Sequence, residues 1–559
     1  MRESILALVL TAALLPAVAQ ADETLDQALT EDVILRALVD ELDRSFGALE
    51  LKDMDRPYFI EYALYDTGGF GVSAEFGAVT SRNEGRSRSL RTDVRVGSYE
   101  LDNTNFGGGG YYGRFGGRGG YAPIPIEDDY NAIRQGIWWT TDRDYKSVVE
   151  SLAQKRAFMK SKMIEDKPDD FSHEEPVTFL EDRVLLSIDK SRLEKIAVTL
   201  SSVFREYPDI QDSGINVSAG VGNKYLVNTE GTRLRTGTTF CRLGASAKVQ
   251  ADDGMRLSDS FDISVLSADD IPSLEQLEQR CRKMIEQLIA VKNAPKMEEP
   301  YAGPVLFEPE AATSLFSQHF ASQFGGGQRP VGSRTSPDDF VNKLNRRILP
   351  RFMHVVDDPT LEMIEGKRAL GYYHYDDQGV KAERIELVER GRLKALLMSR
   401  NPSKEFPNSN GHGRGLMYPR SAVSTLIVTA DPAATADEMK QELLDACQDE
   451  GLEYGVRVVS LGSYGSSPLV MYKVFADGHE ELVRGAEIAG IDLKSFKRML
   501  AAGDAPYVQN SGSRSDGTTI VAPAMLFEEL DLAKIDRDFD KPPILTTPLA
   551  RGETATDQP

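Results

Sequence analysis

The chain is poor in cysteine, histidine and tryptophan: its 559 residues include three, six and two of them respectively. An odd thiol count leaves at least one cysteine unpaired in a monomer. Cys241, Cys281 and Cys447 match no C-x-x-C or zinc-ribbon spacing, so disulfides do not organise the fold and a thiolate zinc site is not expected. The three read as small buried apolar residues. Positive charge is also in deficit, with 65 Lys plus Arg against 87 Asp plus Glu and a formal net charge of -22. Such a field repels phosphate backbones and anionic headgroups, which argues against nucleic acid as a partner. No stretch reaches the roughly 18–20 uninterrupted apolar residues of a membrane span, so membrane insertion is not expected either.

What remains is an ordinary globular composition, 41% apolar and 27% charged, on a chain long enough for two or more cores. The opening MRESILALVLTAALLPAVAQADE has one early Arg, an apolar run from Ile5 to Val18 and small residues at Ala19 and Ala21. This is the pattern of an export signal cleaved after Ala21, and it predicts a periplasmic or secreted protein.

The reading divides the rest into an N-terminal α+β domain at 22–298, a strand-rich domain at 299–535 and a disordered tail at 536–559. Apolar residues Leu25, Leu29, Val33, Leu38 and Leu42 at helical spacing predict a first helix over 24–48. YFIEYALYD and RTDVRVGSYEL read as antiparallel strands. Helical pattern recurs at 128–136, 143–165, 186–205 and 273–292, and strands fill 215–266. Residues 106–121, FGGGGYYGRFGGRGGY, are too glycine-rich for a regular element and read as a flexible loop. Tyr111, Tyr112, Arg114 and Arg118 on it would serve a partner if the protein were an envelope scaffold. The second domain offers turns at Arg390-Gly391 and Asp477-Gly478 and a helix near 435–449.

A helical zinc protease needs two imidazoles to hold the metal and a carboxylate to take the proton from bound water. His173-Glu174 and His479-Glu480 each lack a second histidine in reach. The run GPVLFEPEAATSLFSQHFASQF at 303–324, followed in order by HVVDDPTLE at 354–362, YDDQGVKAE at 375–383 and SNGHGR at 409–414, resembles the C-terminal domain of the TldD/PmbA family. RVGSYELDNTNF at 95–106 adds a match in the first half.

That resemblance implies an α+β N-terminal domain, a strand-rich, barrel-like C-terminal domain enclosing a peptide cavity, and work in pairs, including pairs of one metal-bearing and one metal-free subunit. Metal-bearing members have His-Glu-x-x-x-His on the helix after the strand. The matching positions here are Ser317, Gln318 and Ser322. A hydroxyl is a poor zinc ligand and an amide is no base near neutral pH. The family's late cysteine ligand is also missing from the matching stretch, Asn510 to Gly517.

No metal or other cofactor is therefore expected and no catalytic residue is assigned. His319, His412 and Arg414 are candidates to line the peptide cavity, and the expected pairing is a homodimer or a heterodimer with a metal-bearing homologue. Two alternatives stand beside this reading. One is an active metallopeptidase with a zinc site built from His354, His374 and the acidic pairs Asp357-Asp358 and Asp376-Asp377. The other is the envelope scaffold.

Overall fold

A computed structural model describes residues 25–107, 121–185, 187–333, 340–462, 467–512, 517–535, 539–540 and 547. The export signal, most of the glycine-rich stretch with Tyr111, Tyr112, Arg114 and Arg118, and most of the tail lie outside the described residues.

The first half is a twisted sheet with helices on one face. Strands β1 (Pro57–Glu75) and β2 (Ala78–Val96) form a long hairpin closed by Phe76 and Gly77 at φ 44° and 77°. A two-residue turn with both φ positive matches the right-handed twist of the strands it joins. The remaining elements are β3 (Tyr121–Pro123), β4 (Thr178–Leu180), β5 (Asp212–Asn228), β6 (Arg233–Gln250) and β7 (Arg256–Val265). The sheet order is β3-β2-β1-β5-β6-β4, and β7 also pairs with β6.

Alternation sorts the side chains of β1. Ile60, Tyr62, Leu64, Phe70 and Val72 enter the core beneath the helices, while Phe59, Glu61, Tyr65 and Thr67 belong to the other face. Helices α1 (Val33–Ala48) and α2 (Tyr130–Lys162) cover one end of the sheet, and α3 (Lys190–Ser202) and α4 (Leu274–Asn293) cover the other. Helix α1 starts where the Asp32 carboxylate accepts the orphan amides of Ile34 and Leu35.

Two expectations change here. The helical patterns at 128–136 and 143–165 belong to one helix, α2, which runs unbroken through Trp138-Trp139-Thr140-Thr141. Those aromatic and β-branched residues have low helix propensity, but Thr140 and Thr141 donate to the Gly136 and Ile137 carbonyls one turn back, and Thr141 also meets the Tyr62 hydroxyl in the core.

The barrel-like closure expected of the second domain is also absent. Apart from two short two-stranded ladders, at Met363–Ile364 with Lys367–Arg368 and Gly413–Arg414 with Arg420–Ser421, its strands are β8 (Tyr301–Phe307), β9 (Met353–Asp357), β10 (Ile385–Glu389), β11 (Arg392–Leu393), β12 (Thr425–Ala430), β13 (Tyr454–Leu461), β14 (Pro468–Phe475), β15 (Glu480–Val483), β16 (Ala486–Ile488), β17 (Met499–Ser511) and β18 (Thr518–Lys534). Among the described residues they form one open sheet, β11-β10-β9-β12-β18-β8-β13-β14-β15, with β16 and β17 also on β18. Neighbouring residues of β8 serve opposite faces: Val305 and Phe307 pack under helix α5 (Pro309–Phe316), and Leu306 packs with Met439, Leu443 and Cys447 of helix α6 (Ala436–Glu450).

The two halves meet through buried ions. Arg400, 1% exposed, gives both terminal nitrogens to Glu230 at 2.6 and 2.7 Å and also donates to the Ser172 carbonyl. Its guanidinium lies 3.8 Å from the Phe171 ring centroid and 5.2 Å from that of Phe59. Lys224 bonds Asp377 at 2.6 Å, and Arg91 bonds both Glu61 and the Asp377 carbonyl.

Removing one partner of such a pair leaves the other charge buried without compensation. Arg400→Met is therefore expected to lower unfolding stability by about 3–5 kcal/mol in denaturant titration, and adding Glu230→Gln should recover part of that loss. A loss below about 1 kcal/mol would contradict the assignment.

Candidate functional site on the helix after strand β8

Pro309 occupies the first turn of α5, where its missing amide costs nothing, and Glu308 just before it pairs with Arg457 of β13. Ala311, Ala312, Leu315 and Phe316 bury one side of the helix against the sheet, and the Thr313 hydroxyl reaches the Ala522 carbonyl of β18 at 3.2 Å. The winding then widens into a π turn at Ser317–Ala321.

This change of winding bears on the motif spacing. Positions five apart are separated by about 140° around an α-helix, whereas i→i+5 closure draws them toward one side. The turn thus occurs where Ser317 and Ser322 have the spacing of the two histidines. It is held by an aromatic cluster: Phe320 stacks on Phe316 at 4.5 Å and meets Phe496, Phe324 and Phe340 at 4.7, 6.0 and 5.7 Å.

The scaffold is present, but the donors do not fit a metal. Ser317 is half-buried, and Gln318 and Ser322 are exposed. The three supply two neutral hydroxyls and an amide, with no imidazole or carboxylate among them. His319 is half-buried with its ring 5.6 Å from that of Phe496, and burial lowers its pKa, so it stays neutral to lower pH than a free histidine. Among the described residues no group of three or more His, Cys, Asp or Glu side chains is placed to hold a metal ion. Asn510, at the start of the stretch that matches the late ligand, is engaged by Thr519, Leu370 and the Arg368 carbonyl, and residues 513–516 lie outside the described ones.

His412 departs from its expected place in a peptide cavity. It is fully buried; its Nδ1 lies 2.9 Å from the Asn410 carbonyl oxygen and its Nε2 lies 3.3 Å from Asp357. Asp357 is the hub of this group, accepting from the Ser424 hydroxyl and from the Ser424 and Thr425 amides. Because the Ser424 proton goes to the carboxylate and not to the imidazole, the trio has the wrong order for an activated nucleophile. Burial alone would raise Asp357, yet its bonds to His412 and Ser424 hold it below the usual carboxylate range. Arg414 is engaged as well, donating to the Gly517 carbonyl at 2.8 Å and lying 4.6 Å from the Tyr373 ring centroid. Among the described residues no hydrogen bond or ring contact joins His319 to His412 or Arg414.

The acidic pairs are turn and junction residues. Asp358 accepts from the Thr360 amide and hydroxyl. Asp376 accepts the Gln378, Val380 and Gly413 amides, and Asp377 takes Lys224 and the Gly415 amide. His374 sits apart from them against Tyr372 and Phe179. The residues that sequence reasoning passed over are those of the domain junction, above all Arg91, Asp93 and Arg95. Their signal was charge at every second position of the segment LRTDVRV at the end of β2, which marks that face as facing something other than a hydrophobic core or open water.

Comparison with known proteins follows the same division. Residues 300–534 match the PmbA/TldA metallopeptidase C-terminal domain and residues 167–290 match its central domain. A metalloprotease of Archaeoglobus fulgidus is 29% identical over 149 residues, 26% of this chain and 31% of that protein. A PmbA-homologue metalloprotease of Haemophilus influenzae is 24% identical over 208 residues, 37% of this chain and 43% of that protein. The chain thus spans less than half the length of these curated relatives. Among solved structures, a candidate modulator of DNA gyrase from Thermotoga maritima superposes with a TM-score of 0.59 at 15% identity, covering 88% of this chain and 99% of that one. TldE from Thermococcus kodakarensis gives 0.56 at 13%, covering 85% and 97%. At these identities the likeness to the solved structures is one of fold.

Burial pushes the Asp376 carboxyl up to about 6, and its three backbone donors and Lys224 offset this only in part. Its unfolded value is about 4, so between about pH 4 and 6 the native state holds more protons than the unfolded one, and this group's contribution to stability falls as pH rises. The stability of the wild type minus that of Asp376→Asn should therefore fall by an order of 2–3 kcal/mol from pH 4 to pH 7. A pH-independent difference in denaturant titrations would contradict this.

Proposed function

We propose a non-catalytic role for this chain, which belongs to the TldD/PmbA family of metallopeptidase-like proteins. In this reading it is an exported subunit, processed after Ala21, that carries no metal, holds an extended peptide, and pairs with itself or with a metal-bearing relative. The observation that carries the reading is chemical: Ser317 and Gln318 on the π turn and Ser322 just after it stand where imidazole, carboxylate and imidazole would be needed. Zinc hydrolysis needs a ligand set that leaves one coordination position for water and a base beside it. Two hydroxyls and an amide supply neither.

The alternative site at the acidic pairs gains no support, because Asp357, Asp376 and Asp377 spend their oxygens on Ser424, His412, Lys224 and backbone amides. Peptide holding finds support in the open sheets. Among the described residues the outer edge of β2 is engaged toward its end by Ile124, β3 and Asn103, whereas no strand pairs with that edge over 78–87, and an unpaired edge takes an extended segment by main-chain hydrogen bonds.

The test is to incubate the purified chain with a peptide mixture, with and without zinc and chelator, and to follow both retention and cleavage. Retained, uncut peptide in every condition is the expected result; cleavage that chelator abolishes would overturn the reading. Restoring the donors with Ser317→His, Gln318→Glu and Ser322→His together should make the thermal midpoint rise with added zinc, since a ligand that binds only the folded state stabilises it by mass action. The wild type should show no such rise.

A further inference from the structure

We infer that the chamber at the domain junction is a binding site for a primary carboxamide. The chamber is small, about 30 Å³. Arg91, Asp93 and Arg95, at alternate positions of β2, line it from the N-terminal half, and Arg400, Asn401 and Tyr418 from the C-terminal half. Most polar atoms of this lining are engaged. Arg95 donates to Asp93 and Asp102, Arg400 to Glu230 and the Ser172 carbonyl, and Asp170 receives Lys155.

Among the described residues three buried side-chain atoms of this lining have no hydrogen-bond partner: Nε of Arg91, Oδ1 of Asp93 and Oδ1 of Asn401. Arg91 is 4% exposed, its Nη2 shared between Glu61 and the Asp377 carbonyl, so its Nε–H is a buried donor with nothing to bind. Asp93 spends its Oδ2 on Arg95 at 3.0 and 3.1 Å and keeps Oδ1 free. The orientation of Asn401 is fixed because its Nδ2 donates to the Gln328 carbonyl at 3.0 Å, which leaves the amide oxygen as the free atom.

A buried polar group without a partner destabilises the fold, so three lining one cavity define what it should hold. The occupant must donate twice and accept once. It must also be neutral, because the chamber's arginines and carboxylates already neutralise one another and an added charge would be buried without compensation. A primary carboxamide has two N–H donors and one carbonyl acceptor in three heavy atoms. At roughly 10–15 Å³ for each water-sized group, its head fills the space. A carboxylate offers no donor to Asp93 or Asn401, and an ammonium offers no acceptor to Arg91. The same head group is found on an asparagine or glutamine side chain and on an amidated peptide C-terminus. This inference does not depend on the reading of the π turn, and its failure would leave that reading untouched.

The test is ligand-observed saturation-transfer NMR on the intact chain with acetamide, acetate and N,N-dimethylacetamide at about 50 mM, the weak-binding range that so small a ligand allows. Transfer to acetamide alone is expected, weakened about tenfold or more by Asn401→Leu, which removes one acceptor at the rim. Peptides with an internal glutamine, or with an amidated C-terminus and no glutamine, then separate the two sources. Equal transfer to all three small probes, or none to acetamide, would overturn the assignment and leave the chamber to water.

Discussion

The architecture depends on a seam of buried charge between two sheets. Burying an ion is costly unless its partner and its remaining hydrogen-bonding groups are in place, and Arg400 and Lys224 find their partners only when the two halves dock in one arrangement. Apolar contact alone would tolerate sliding, whereas an arginine held between Glu230, the Ser172 carbonyl and the rings of Phe171 and Phe59 does not. The seam fixes where β2 faces the loops around Asp377 and Asn401, and so determines the shape of the junction chamber.

The motif helix illustrates how packing and chemistry separate. The π turn at Ser317–Ala321 and the rings of Phe316, Phe320, Phe324, Phe340 and Phe496 hold the backbone by apolar contact. None of that packing needs a metal, so donors on the outer side of the turn can be exchanged for Ser, Gln and Ser at little cost to the fold. The chain keeps the fold of its family, with Ser317, Gln318 and Ser322 at these positions.

Much of the fold was legible in the sequence. Strand-type composition identified β1 and β2, helical periodicity identified α1, α4 and α6, and the order of the matched segments gave the family. The misreadings have physical causes. Helix α2 was divided because propensity counts threonine and tryptophan against a helix and cannot register that Thr140 and Thr141 satisfy their hydroxyls on the preceding turn. Closure of the second sheet is a matter of strand pairing, which periodicity does not encode. The reading of Ser317, Gln318 and Ser322 rests on position alone, and the π winding at Ser317–Ala321 was not readable from it. The roles of His412 and Arg414 were not readable either, since their partners Asp357 and Gly517 lie 55 and 103 residues away in the chain.

Metal content tests the account most directly. Elemental analysis of the purified chain, after exposure to zinc and removal of loosely held ions, should find far less than one zinc per subunit, with no rise on prolonged incubation. One tightly held zinc per subunit, lost on replacing Ser317 or Ser322 with alanine, would contradict it.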